Sequence, residues 1–582
     1  LSSSSINEGG TLTLGGSFTD TNDIDPHDVT IDWGDGTTPT TFTLAVGVST
    51  FSNITHTYAD NPAGQVNGSY TITVTIADRT QSTAVNASVQ VKNVAPAITA
   101  GTNVSINEGT LFTRNITFTD VSVDGAYSAT VDYDDGRGPQ AVTLTPGVNS
   151  FDISTTFPDD DSNPFTVVVK VTDKDGTVGT ATFDVTVLNV NPTIDLATIP
   201  DVDLDEGEVL TILPTFSDPG FQNLFPTIDT VETFTYEVDW NDGTAKSVGT
   251  ATISALGSAG SPTKGTFTAS HVYADDGTYT VTVKVFDDDG GVTTRTFTAN
   301  VSNVAPTLTV PTGAQNTTEG TVISFPNLGL FTDPGFDNAA SGQPSKATTE
   351  RFFYEISWGD GTGVESGDVT TVTQGNTSPT LTSGSFGGSH TYADDGTYTV
   401  TVKVTDDDGG FDEKTFTITV ANADPVITVA EDQTVLEGST LSIPTIASFT
   451  DLGYNNSLDS PPTSETFTYT VDWGDGTTDS TGSVGTVTQG SAGKPTTGSF
   501  GESHTYADNG TYTVTVTVTD DNGGSATDTF QVVVVNAAPV LTVSTNKTVA
   551  EGSLLTIAEL GSFTDAGFDN ALNPVPGGET QE

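Results

Sequence analysis

HTYADDGTYTVTVKVTDDDGG, residues His390 to Gly410, decides the fold. Along it Tyr398, Val400, Val402 and Val404 fall on one side of an extended chain, and Thr399, Thr401 and Lys403 on the other. That alternation predicts a strand with one face in a core and one in solvent, bounded by Asp- and Gly-rich turns. The same strand returns four more times, opened by Tyr70, Phe165, Tyr279 and Tyr512. A period of about 100 residues means one domain copied in tandem. Helical periodicity is essentially absent. Several short alternating strands per copy predict an antiparallel β-sandwich of immunoglobulin-like type.

The boundaries are punctuated. An Asn-x-x-Pro signal occurs at Asn93–Pro96, Asn189–Pro192, Asn303–Pro306, Asn422–Pro425 and Asn536–Pro539, where proline stiffens the linker and keeps the approach extended. A Glu-Gly turn follows each start, at Glu8, Glu108, Glu206, Glu319, Glu437 and Glu551. The repeats are then 1–95, which lacks its opening strand, 96–191, which is degenerate, 192–305, 306–424, 425–538, and a partial sixth at 539–582. The incomplete end repeats are read either as truncation of a longer array or as strands supplied by a neighbouring chain. With linkers of a few residues the copies must abut, which predicts an elongated, semi-rigid rod of about 200 Å.

Composition narrows the function. The 582 residues hold 16 Lys and Arg against 75 Asp and Glu, a net charge of −59. Nucleic acid and anionic membrane call for basic patches and are poor partners for this chain, so no nucleic acid is expected, and no membrane span is visible. With no cysteine there are no disulfides, thiolate metal sites or cysteine nucleophiles. Methionine is also absent, even at residue 1, so the chain reads as a segment of a longer protein. A chain this acidic repels itself unless cations are held nearby.

Three motifs recur together. A Trp (Trp33, Trp240, Trp358, Trp473; Tyr133 in the second repeat) precedes a Gly-Asp-Gly-like turn, His-x-Tyr follows, and Gly-x-Tyr-x-Val-x-Val-x-Val-x-Asp closes the set. These residues resemble the PKD (polycystic kidney disease) domain family over nearly the whole chain. Repeats three to five are longer and insert a stretch such as Asp333 to Glu350 before the Trp strand. The resemblance implies β-sandwich modules of extracellular or cell-surface proteins, bacterial in type, serving as spacers, adhesion elements or accessory regions of secreted hydrolases, some of which bind calcium.

The sandwich topology places the acids. Strand B ends in Asp20, Asp120, Asp218, Asp333, Asp451 and Asp565, each two residues after an inward Phe. Strand F ends in Asp78, Asp173, Asp287, Asp406 and Asp520, each eight residues after the Tyr or Phe. Both strands end at the pole where strand A begins, and the linker Asn precedes strand A. Asn93, Asp120 and Asp173 should therefore meet, as should Asn189, Asp218 and Asp287; Asn303, Asp333 and Asp406; and Asn422, Asp451 and Asp520. Asn536 and Asp565 belong to the last, incomplete set. Asp360, Asp394 and Asp395 go to the opposite pole and face the next repeat. Oxygen-only ligands of this kind suit Ca2+ better than zinc or copper. The plainer alternative is that these Asp residues form turns and solvated caps.

Catalysis finds no footing. The recurring His56, His271, His390 and His504 point to a structural hydrogen bond, no nucleophile elbow occurs, and the carboxylates sit in repeated turns and not around one cleft. One Trp per repeat at a fixed strand position reads as core. The sequence thus predicts a non-enzymatic, calcium-stiffened structural protein of the cell exterior: a stalk, a fibre or a surface layer built by self-association. The alternative is an adhesin or polysaccharide-binding region that meets a polysaccharide or a host or cell-surface ligand.

Overall fold

The computed structural model describes residues 1–568 except 23, 122–124, 161–163, 226–227, 341–342, 377–379 and 460–461. The end of the sixth repeat, from 569, lies outside the described residues, as does part of the inserted stretch of repeat four. Among the described residues the chain is built of strands, and helix is limited to two 3-10 turns, Leu196–Thr198 and Pro344–Lys346. Two compact units divide it, repeats one and two falling wholly in the first and four and five in the second.

Repeat four shows the plan. One sheet orders strand A (Thr307–Thr309), strand B (Val322–Asp333), strand E (Thr382–Thr391) and strand D (Thr371–Thr373). The other orders Gln315–Thr318, strand G (Phe411–Ala421), strand F (Gly396–Asp406), strand C (Phe352–Ser357) and Glu365–Asp368. Gln315–Thr318 runs parallel to strand G, while the remaining pairs of both sheets are antiparallel. Repeat five repeats both orders. Repeat two has the same second sheet and three strands in the first. In repeat one the strand parallel to G is Ser5–Asn7, and the other sheet has two strands, Thr11–Ser17 and Thr50–Thr57.

Proline falls where a strand can tolerate it. Strand B of repeats four and five shifts register between Phe325 and Gly329 and between Ile443 and Ala447, and Pro326 and Pro444 occupy those bulges, where the missing N–H breaks no ladder bond. The alternation read in strand F holds: Tyr398, Val400, Val402 and Val404 are buried, and Lys403 reaches Glu355 at 3.1 Å on the outer face.

The sheets close on an aromatic stack. Trp33, Trp240, Trp358 and Trp473 are all buried, as is Tyr133, so the tryptophans are core and not a surface platform. His56, His271, His390 and His504 lie flat against them, with ring centroids 4.6 to 5.1 Å apart. Each histidine Nε2 meets the Asp of the Gly-Asp-Gly-like turn: Asp35 at 2.7 Å, Asp242 at 2.7 Å, Asp360 at 2.6 Å and Asp475 at 2.8 Å. The Asp360 side chain therefore turns inward, away from the next repeat. Its backbone carbonyl does face that repeat, accepting Asn456 Nδ2 at 3.0 Å. A tyrosine corner opens strand F: the hydroxyls of Tyr398 and Tyr512 donate to the carbonyls of Asp394 and Asp508, both at 3.0 Å.

Candidate cation sites at the repeat junctions

Strand F ends on an Asp because the chain must turn sharply there. Asp406 accepts the backbone N–H of Asp408 at 3.1 Å and of Gly410 at 2.7 Å, an Asx-type cap of the F–G turn. Asp173 and Asp520 cap their turns in the same way, and Asp287 accepts the Gly291 N–H at 2.6 Å. The linker asparagine then donates to the capped Asp. Asn93 Nδ2 reaches Asp173 at 3.0 Å, Asn189 reaches Asp287 at 3.1 Å, Asn303 reaches Asp406 at 3.2 Å, and Asn422 reaches Asp520 at 3.0 Å. Each linker is thereby pinned to the repeat that follows it.

The strand B aspartates lie close by. Asp218, Asp333 and Asp451 are buried, each accepting through Oδ1 the N–H of Gly220, Gly335 or Gly453 at 2.7–2.8 Å. Their Oδ2 atoms are buried with no hydrogen-bond partner among the described residues. Burial raises Asp218 and Asp333 to about 7 and Asp451 to about 6; the glycine N–H lowers them, and the charges of Asp287, Asp406 and Asp520 respectively raise them further. Three of the expected sets thus gather: Asn189, Asp218 and Asp287; Asn303, Asp333 and Asp406; and Asn422, Asp451 and Asp520. In the remaining set Asn93 and Asp173 are joined, and Asp120 is half-buried at the end of strand B. Asp20 and Asp78 group with His27, so a ring nitrogen enters the set of repeat one. Asn536 is exposed, and Asp565 accepts the Gly567 N–H at 3.2 Å.

The sequence reading missed the glutamates. In the first five repeats the Glu of the Glu-Gly turn is buried and reaches the linker behind the Asn, whereas Glu551 of the sixth is exposed. Glu8, Glu108, Glu206, Glu319 and Glu437 accept the N–H of Val94, Val190, Val304, Ala423 and Ala537 through Oε1 at 2.7 to 2.8 Å. The Oε2 atoms of Glu206, Glu319 and Glu437 are buried with no partner among the described residues. The insertions of repeats three to five add Glu232, Glu350 and Glu465, also buried. Oxygens of Glu206, Glu350 and Asp408 lie within 4.8 Å of one another, as do those of Glu319, Asp394 and Glu465 and those of Glu108, Asp159 and Asp160. A side chain in place of Gly220 would meet oxygens of Glu232 at 2.8 Å, Glu108 at 2.9 Å and Asp218 at 3.0 Å, so that glycine lies in a cradle of three carboxylates.

Burial is the main cause of the shifts that follow. It pushes Glu108, Glu206 and Glu319 up to about 8 against their linker N–H bonds, and neighbouring Asp charges add to the rise. Glu232, Glu350 and Glu465 rise to about 9. Two ionised carboxylates 4.8 Å apart repel by roughly 3 kcal/mol at an effective dielectric of ~20. The donor chemistry fits a hard cation: oxygen only, several carboxylates, and buried oxygens without another partner. No glutamate position followed from strand register, because each chamber is shared by two repeats. The signal available in the sequence was the recurrence of the Glu-Gly turn and of one Glu near the end of each insertion.

The family models agree with this architecture. Two family models, both described as PKD domain, match residues 2–92 and 422–534 and residues 222–301. A search of curated proteins found no match. Among solved structures the chain is similar to extracellular cadherin domains 1-5 of protocadherin gamma B2 (13% identity, 82% of this chain and 88% of that one, TM-score 0.20). It is also similar to the human desmocollin-1 ectodomain (13% identity, 91% and 97%, TM-score 0.18). A third is protocadherin gamma B7 cadherin domains 1-4 (11% identity, 75% and 100%, TM-score 0.25).

Proposed function

Because the chain is a tandem array of PKD domains, we propose that it is a non-catalytic structural protein of the cell exterior whose repeat junctions are stiffened by calcium. Its work is mechanical: it holds an attached domain at a distance, or associates with further copies in a fibre or surface layer. One observation carries this reading. At four successive junctions the same Asn–Asp and Glu–backbone hydrogen bonds tie the linker to the repeats on either side. A domain string meant to flex has no use for a linker held at both ends. Among the described residues no helix is long and apolar enough to cross a membrane.

Calcium is the cation of choice because it takes six to eight oxygen ligands in adaptable geometry, whereas magnesium sheds water reluctantly. When bound it supplies the opposite charge that lets carboxylates of adjacent repeats ionise side by side. Asp218, Asp333 and Asp451 present the buried oxygens, Asp287, Asp406 and Asp520 orient the linker asparagines, and the tight linkers limit hinge motion.

Asp333→Ala with Asp406→Ala is expected to loosen the junction between repeats three and four and leave the other repeats folded. Small-angle scattering in calcium should show a larger spread of conformations, and titration calorimetry fewer bound ions. Unchanged scattering and unchanged stoichiometry would count against the site.

A further inference from the structure

The junctions are not equivalent. We infer that the three junctions preceding repeats three, four and five each enclose a divalent cation between a Glu-Gly-turn glutamate and an insertion glutamate, and that at the junction between repeats one and two the ammonium of Lys174 takes the cation's place. This rests on the calcium reading above and assigns ligands beyond the Asn and Asp sets.

Three observations support the chambers. Glu206 and Glu350 approach within 4.8 Å of each other and of Asp408, and Glu319 and Glu465 do so with Asp394. Gly220 places Glu108, Glu232 and Asp218 around one point in the same way. Glu206, Asp333, Glu319 and Asp451 are 1–3% exposed, and each keeps one buried oxygen with no partner among the described residues. A buried acid left so is costly unless it is protonated or bound to a cation.

The first junction lacks these parts. Repeat two has no insertion, and no glutamate lies between Asp120 and its strand C at Ser128–Asp132. Where the F–G turns at the three later junctions carry Asp288, Asp407 or Asp521, it carries Lys174. Lys174 Nζ lies 2.6 Å from Asp60 Oδ2 and 3.7 Å from Asp175 Oδ2. Asp60 sits in the Tyr-Ala-Asp loop at the position that Asp394 holds in repeat four, one of the chamber ligands. The Gly64 N–H donates to Asp175 Oδ1 at 2.7 Å, a second bond across the same junction. One fixed positive charge thus replaces the cation.

Amide exchange reads each junction separately, because Val94, Val190, Val304 and Ala423 donate to the four turn glutamates. In the full chain, calcium against chelator should slow exchange at Val190, Val304 and Ala423 by tenfold or more and leave Val94 unchanged. Glu350→Gln, which spares the partner of Val304, should abolish the calcium effect at Val304 alone. Glu465→Gln should do the same at Ala423. Lys174→Ala should speed exchange at Val94 with or without calcium, and Lys174→Arg should restore protection. Calcium protection of Val94 equal to the others, or protection that survives both glutamine variants, would overturn this inference while leaving calcium stiffening in place. No calcium effect at any of the four would overturn both.

Discussion

In chelator, thermal stability is expected to fall as pH rises from about 5 to about 9. The cause is the set of buried carboxyls whose values stand above the ordinary range: Glu108, Glu206 and Glu319 at about 8, and Glu232, Glu350 and Glu465 at about 9. An acid whose folded-state value is raised binds more protons folded than unfolded. Its stabilising contribution is therefore complete below the unfolded value of about 4.3 and is lost as pH climbs through the folded one. Six such groups acting in one direction make this among the largest effects open to test. Calcium should reverse the trend, since the ionised carboxylate is the ligand and binding releases protons near neutrality. The aspartates Asp35, Asp242, Asp360 and Asp475, held below the usual carboxylate range, pull the other way but outside this window. Burial opposes ionisation of Asp360, yet the bonds from His390 and Thr362 hold it below the usual carboxylate range, so its contribution is lost only in acid. Calorimetric melts at several pH values, with calcium and with chelator, check this. A melting temperature in chelator that is flat or rising between pH 5 and 9 would contradict it.

The second large effect lies in the core. Trp473→Ala is expected to destabilise repeat five by about 3–5 kcal/mol, the usual cost of emptying a large buried aromatic site. Trp473 is 1% exposed and lies against His504 with centroids 4.8 Å apart. Its Nε1 donates to Ser480 Oγ at 3.1 Å, and its carbonyl accepts the Tyr506 hydroxyl at 3.2 Å. Truncation removes the ring that seats the His504–Asp475 pair along with the apolar volume. A loss of that size is a large part of the 5–15 kcal/mol that a domain commonly has. In urea, repeat five should unfold in an early transition while the others hold their midpoints. Trp473→Tyr, the residue type repeat two uses at Tyr133, should recover part of the loss. A single transition at the wild-type midpoint would show that the stack does not hold the repeat together.

Much of this was legible in the sequence, for reasons visible in particular residues. Strand F announces itself because Tyr398, Val400, Val402 and Val404 obey a period of two that the pleat enforces. The same register carries Asp406 to the pole, and Asn303 met it there because the linker leaves little room to go elsewhere. Asp360 was misjudged in part: a polar residue in a Gly-Asp-Gly turn reads as outward, and only the position of His390 on the neighbouring sheet turns it in. Glu206 and Glu350 were not legible as partners. They belong to different repeats, one in a turn and one at the end of an irregular insertion, where no periodicity fixes a direction. Lys174 likewise reads as one lysine in a variable turn until Asp60 of the preceding repeat is seen beside it.

Small-angle scattering of the full chain with millimolar calcium, and again with chelator, tests the central claim most directly. Stiffened junctions predict a long, narrow range of dimensions in calcium and a shorter mean dimension with a broader distribution once the cation is removed, restored when calcium is returned. Superimposable curves in the two conditions would mean that the acids at the junctions are solvated turns and caps, and that calcium has no part in holding the repeats in line.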